Sequence, residues 1–164
     1  MAGLSKVLDT DNTVFCAFVT CSSILVLKMM GMSILTGRQR KIHGVPASPE
    51  DLTLLKGKTI ESHPDVDRVR RAHLNDLENI PIFYMAGIGY ALTDPNPSVA
   101  VALYSTYTLA RIAHTIVYAV HVVPQPARGI SWGVGFAITG YMAMRTIKYF
   151  CCDSCIALCQ NWVH

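Results

Sequence analysis

Arg68-Val69-Arg70-Arg71-Ala72-His73-Leu74-Asn75-Asp76-Leu77-Glu78 is the stretch whose reading decides the fold. No Gly or Pro interrupts it before Pro81, and it runs straight into the apolar segment Ile80–Leu92. On a helix, Arg71, Asn75 and Glu78 stand at i, i+4 and i+7 and share one face, with Arg70, His73 and Leu77 on the neighbouring face. In water so much charge is an ordinary solvated surface. Here it leads into a segment with the character of a membrane span, where an ionisable residue faces a bundle interior or a polar cavity and marks function.

The rest of the chain supports a membrane setting. Apolar residues make up 51% of its 164 residues and charged residues 15%, against about 25% charged in soluble domains. Mean hydropathy is +0.33. The length suits one domain, taken as residues 1–164. A net charge of +3 without an Arg–aromatic patch excludes nucleic-acid recognition. Met1–Asn12 has one Lys, two Asp and no small-residue cleavage site, so the first apolar segment is expected to stay as a helix and serve as an uncleaved insertion signal.

Periodicity and turn residues predict an all-α chain, an integral membrane four-helix bundle with spans at about 13–36, 69–92, 98–123 and 128–152. The first span holds one charge, Lys28, which either snorkels to a surface or pairs with an acid on another helix. Residues 37–68 form a polar, proline-broken connection, in which Pro49-Glu50-Asp51 has the pattern of a helix N-terminus. Pro81 is expected to kink the second span. Thr93-Asp94-Pro95-Asn96-Pro97 is a tight turn, which predicts that spans two and three are antiparallel neighbours. Gly129, Gly133 and Gly140 on the fourth span are candidates for close helix approach. The basic residues between spans one and two place that connection in the cytosol and both termini on the other side.

Cys16 and Cys21 fall inside the first span and are expected to pack. Cys151, Cys152, Cys155 and Cys159 crowd the C-terminus, where acylation or a lumenal disulfide are the alternatives to no specific role. Cys152-Asp153-Ser154-Cys155 has no second ligand pair, so no metal is expected.

The polar groups near the cytosolic end are Arg40, Arg70, Arg71, His73, Asn75, Glu78, Arg111, His114, Tyr118 and Arg128. Arg111, His114 and Tyr118 form one stripe at i, i+3 and i+7. Unpaired in lipid, each such group costs several kcal/mol. They must pair with one another (Arg71 with Glu78, for instance), face a neighbouring subunit, or enclose a polar ligand. Five arginines against one glutamate favour an anion, because the guanidinium fork suits carboxylates. Glu78 suits an ammonium group. The ligand so described is small, with more than one carboxylate and an amine. A glutathione-like peptide fits, although spacing alone does not select it over another acidic metabolite.

Residues 68–80 closely resemble the signature of the membrane-associated eicosanoid and glutathione metabolism family. Pro49-Glu50-Asp51, Ala110-Arg111-Ile112-Ala113-His114-Thr115-Ile116 followed by Tyr118, and Pro124-Gln125-Pro126-Ala127-Arg128 also match, so the resemblance runs from about Leu25 to Lys148. It implies a homotrimer of four-helix subunits in the endoplasmic reticulum membrane or the outer mitochondrial membrane, with glutathione as co-substrate bound between adjacent subunits. It further implies that Arg40, Arg70, Arg71, His73, Asn75, Glu78, His114 and Tyr118 surround glutathione, with Arg128 the catalytic arginine near the thiol. The implied activity is transfer of the glutathione thiolate to hydrophobic electrophiles, with reduction of lipid hydroperoxides. Alternatives within the family are a glutathione-dependent prostaglandin E synthase and a non-enzymatic lipid-binding scaffold. Prostaglandin E synthase members carry Arg where this chain has Leu74 and Ser where it has Gly129, which argues against the isomerase. Leu52 stands where some members carry an activating cysteine after the Pro-Glu-Asp motif, which argues against activation at that site.

Overall fold

The computed structural model describes residues 4–53 and 62–153 of the chain. Four long helices dominate: α1 (Thr13–His43), α2 (Pro64–Ala91), α3 (Pro97–Thr115) and α4 (Ala127–Ile147). One helical turn, Leu4–Val7, precedes α1, and a 3₁₀ turn, Pro49–Thr53, lies between α1 and α2. Wider π-helical turns, Ile116–Val120 and Lys148–Asp153, extend α3 and α4. No strand is present among the described residues. Lys56, Lys58, Cys155 and Cys159 lie outside them.

Local chemistry sets the helix ends. The Asn12 side chain accepts from the backbone N–H of Val14 and Phe15, and Asn96 does the same for Ser98 and Val99. Each cap contributes about 1 kcal/mol. The structure corrects the predicted boundary at Gly37. The helix runs on to His43, so Arg38, Arg40 and Lys41 stand on α1 rather than in a loop. An interior glycine costs only about 1 kcal/mol. The stop comes at Gly44, whose φ of 62° is a left-handed conformation that glycine adopts without strain. The second helix likewise starts at Pro64 rather than residue 69, with Asp65 and Asp67 in its first turn, and it continues through Pro81 to Ala91. The third and fourth start one residue earlier than expected, and the 37–68 connection shrinks to the residues between His43 and Pro64. Between them, the Ser48 hydroxyl hydrogen-bonds the Glu50 carboxylate and lowers its pKa.

The packing order also differs from the expectation. Helices α2 and α3 are antiparallel and touch through side chains, but they lie across the bundle diagonal, and each packs more extensively on α1 and α4. Aromatic bulk at the centre keeps their axes apart. Phe83 of α2 stacks on Tyr107 of α3 with ring centroids 3.9 Å apart. The Tyr104 and Tyr107 hydroxyls donate to the carbonyls of Gly87 and Asn79, each at 3.0 Å. Close approach falls at other glycines than those predicted. A Cβ at Gly87 would lie 2.7 Å from the Phe18 ring, and one at Gly135 3.3 Å from Tyr107. Among the described residues of this one chain, a Cβ at Gly133 or Gly140 would meet nothing within 4 Å, and one at Gly129 would meet the Gln125 side chain.

Polarity is inverted relative to a water-soluble bundle. Leu27, Ile34, Met85, Leu109 and Met144 are exposed, while Asp76, Arg111 and His114 are buried. Cys21 is in the core as expected, and Cys16 is half-buried with its thiol donating to the Thr10 carbonyl. Among the described helices, α1 alone is long and apolar enough to cross a membrane by length and composition.

Candidate functional site

Along α2, Val69, Ala72, Asp76, Ile80, Phe83, Gly87 and Tyr90 are buried, in steps of three and four residues. Asp76 is the single charged member of that stripe. Its carboxylate takes a partner from each of two other helices. Lys28 of α1 pairs with Oδ2, and Arg111 Nη2 of α3 lies 2.5 Å from Oδ1. The three side chains are almost fully enclosed, with Lys28 the most exposed at 9%. Lys28 therefore pairs rather than snorkels. Asp76 also changes the charge count that favoured an anionic ligand, because Arg111 already has its carboxylate. The signal was legible: Asp76 sits in register with the apolar stripe, and an acid on a core face requires a cation.

The remaining residues named from the sequence divide between clefts. The first, about 460 Å³, lies between the end of α1 and the start of α2 and is lined by Arg40, Arg70, Arg71, His73, Asp67 and Leu74. Arg40 Nη1 donates to the Pro46 carbonyl at 3.1 Å, and Arg70 lies 3.7 Å from Asp67. Among the described residues no acid pairs with Arg40 or Arg71, and Arg71 and Glu78 are not joined. This cleft keeps an excess of guanidinium.

A second cleft of about 320 Å³ is lined by Asn75, His114, Tyr118, Gln125, Arg128 and Trp132. The Arg128 guanidinium sits over the Tyr118 ring, 4.4 Å from its centroid, a cation–π contact that aims the fork without neutralising it. The lining contains no acid. His114 Nδ1 is buried without a hydrogen-bond partner among the described residues. A third cleft of about 650 Å³ shares Asn75 and Trp132 with the second and continues along α2 and α4 past Glu78, Ile82, Phe136 and Gly140. It is apolar apart from Thr139 and its Asn75–Asn79 end.

The structure thus brings Asn75, His114, Tyr118 and Arg128 together, with Glu78 next door. It gathers Arg40, Arg70, Arg71 and His73 separately, and buries Arg111 outside all three clefts. Trp132 and Gln125 were not read from the sequence. The stacking of Trp132 on Phe136, at i and i+4 with centroids 5.1 Å apart, is the helical pattern that could have found the first. Chemically, the second cleft can hold an anionic sulfur or oxygen under Arg128, and the third can hold an apolar molecule beside it.

The MAPEG family model matches residues 18–148. Microsomal glutathione S-transferase 1 of Homo sapiens is 42% identical over 153 residues, covering 90% of this chain and 97% of that protein. The Mus musculus protein of the same name gives the same figures. Prostaglandin E synthase of Homo sapiens is 35% identical over 132 residues, covering 80% of this chain and 86% of that protein.

Proposed function

The chain belongs to the MAPEG family, and from that premise we propose that it is a membrane-bound glutathione transferase. The observation that carries the reading is Arg128, held over Tyr118 in an acid-free cleft that opens into an apolar groove at Asn75 and Trp132. A guanidinium beside the glutathione thiol lowers its pKa from about 8.5 and favours the thiolate. The thiolate sulfur then attacks an electrophilic carbon of a lipophilic substrate lying in the groove, and the leaving group departs with the bonding pair. With a lipid hydroperoxide, two glutathione molecules supply the two electrons, giving the disulfide, the alcohol and water.

Glutathione has two carboxylates and an amine, whereas the second cleft offers one arginine. The first cleft holds the arginines suited to the carboxylates. Two half-sites on one chain support a homotrimer in which Arg40, Arg70, Arg71 and His73 of one subunit face Asn75, Glu78, His114, Tyr118 and Arg128 of the next. The exposed apolar residues on all four helices support four membrane spans. The basic start of α2 supports placing the site at the cytosolic face of the endoplasmic reticulum or outer mitochondrial membrane.

The test is glutathione-dependent conjugation of a chloronitrobenzene by the detergent-purified protein. Wild type turns over, and Arg128→Ala loses about two to three orders of magnitude, in line with removal of a preorganised charge-stabilising donor. Undiminished activity in Arg128→Ala refutes the mechanism. A prostaglandin E synthase is the second reading, favoured by the 35% identity. Leu74 in the first cleft and Gly129 in the second stand where such enzymes carry Arg and Ser, and conversion of a prostaglandin endoperoxide measures it directly.

A further inference from the structure

We infer that Arg111 acts on the ligand through Asn75 rather than by touching it: the Lys28–Asp76–Arg111 cluster fixes the Asn75 amide so that its Nδ2 is the group offered to the clefts. This rests on reading those clefts as the glutathione site.

Arg111 Nη2 donates to two oxygens, Asp76 Oδ1 at 2.5 Å and Asn75 Oδ1 at 2.9 Å. An amide has one acceptor end and one donor end. With Oδ1 engaged by a buried guanidinium, Asn75 turns its donor end outward. Asn75 is also the residue common to the second and third clefts, at the point where the polar site meets the apolar groove. A donor there recognises a carboxylate or peptide oxygen of glutathione, and a free amide rotor in its place would offer oxygen half the time.

The cluster is built to hold that orientation. Arg111 is 1% exposed and Asp76 fully buried, so neither has water to exchange with. Lys28, from α1, takes the second oxygen of Asp76 and restrains the carboxylate to which Arg111 is bound. Three helices converge on one side-chain torsion, four residues along α2 from Arg71 of the first cleft. Arg111 and Lys28 are positioning residues, whereas Asn75 touches the ligand.

A double-mutant cycle on the full-length protein in detergent tests this, reading glutathione KM and kcat with a chloronitrobenzene held at saturation. Arg111→Lys keeps a positive charge beside Asp76 but removes the Nη2 group that donates to both oxygens, and its shorter, non-planar head does not reproduce that geometry. It is expected to raise glutathione KM about tenfold and to change kcat less than twofold. In an Asn75→Ala background the same change is expected to move KM less than twofold, since the residue it acts through is gone. Additive effects overturn the proposal. Should Arg111→Lys not fold, Asn75→Asp decides. Its carboxylate still accepts from Arg111 but presents oxygen to the cleft, so glutathione KM should rise at least tenfold, and a KM within twofold of wild type overturns the proposal. An inactive, non-binding wild type would instead defeat the transferase reading, and the proposal with it.

Discussion

Replacing Asp76 by asparagine keeps the side chain's shape and the oxygen that Arg111 donates to, but removes the one negative charge among three buried groups. Lys28, Asp76 and Arg111 carry a net charge of +1 in the native cluster. Asp76→Asn raises it to +2 in a site that water does not reach. Breaking a buried pair in this way costs about 3–5 kcal/mol. For a chain of this length that corresponds to a fall of roughly 6–20 °C in melting temperature. The sign of the coupling is more telling than the size. Lys28→Met leaves a neutral Asp76–Arg111 pair, so it should cost less than Asp76→Asn. Adding Lys28→Met to Asp76→Asn returns the cluster to +1, so the double variant should be more stable than Asp76→Asn alone. Far-UV circular dichroism against temperature, on detergent-purified protein, measures all four forms under one condition. A melting temperature for Asp76→Asn within about 3 °C of wild type, or a double variant less stable than the single, would refute the idea that a buried charge cluster ties α1, α2 and α3 together.

Other outcomes follow from the same geometry. In Arg128→Ala the glutathione thiol returns toward its ordinary pKa of about 8.5. Residual conjugation should therefore climb between pH 7 and pH 9, where the wild-type rate is already near its plateau, and a pH–rate profile shows the difference. Gly87→Ala places a Cβ 2.7 Å from the Phe18 ring and should cost about 1–3 kcal/mol, seen as a lower melting temperature. Gly31→Ala, with nothing within 4 Å, should be neutral or stabilising by up to about 1 kcal/mol. Tyr107→Phe keeps the stack on Phe83 but loses the hydrogen bond to the Asn79 carbonyl, for about 0.5–1.5 kcal/mol in the same assay.

Much of this protein was legible in the chain itself. Four helices followed from apolar periodicity and from Asn and Pro at their ends, because caps and turns are local and act over three or four residues. Asn12 and Asn96 cap their helices through the side chain, and Gly44 ends α1 through its left-handed backbone, so these boundaries are set locally. Hydropathy falls at Gly37 and before residue 69, whereas the helices end at His43 and start at Pro64. Backbone hydrogen bonding continues past that point as long as a capping residue has not been reached. The polar residues of α2, α3 and the start of α4 were likewise readable as a group, since a guanidinium or imidazole in an apolar helix has to be accounted for whatever the fold.

The sequence by itself determined the helices, the excess of arginine near one end of the bundle and the family to which the chain belongs. Only the tertiary structure decided which arginine is free to meet a ligand. Arg111 and Arg128 are alike on paper, each an arginine on an otherwise apolar helix. One is enclosed against Asp76 and Asn75, and the other lies over Tyr118 in an open cleft. The same holds for α2 and α3, which a five-residue turn suggests are neighbours. They sit across the diagonal because Phe83, Tyr104 and Tyr107 need the space between them. Charge and periodicity are properties of one helix, whereas pairing and exposure depend on the side chains that three other helices bring to the same place.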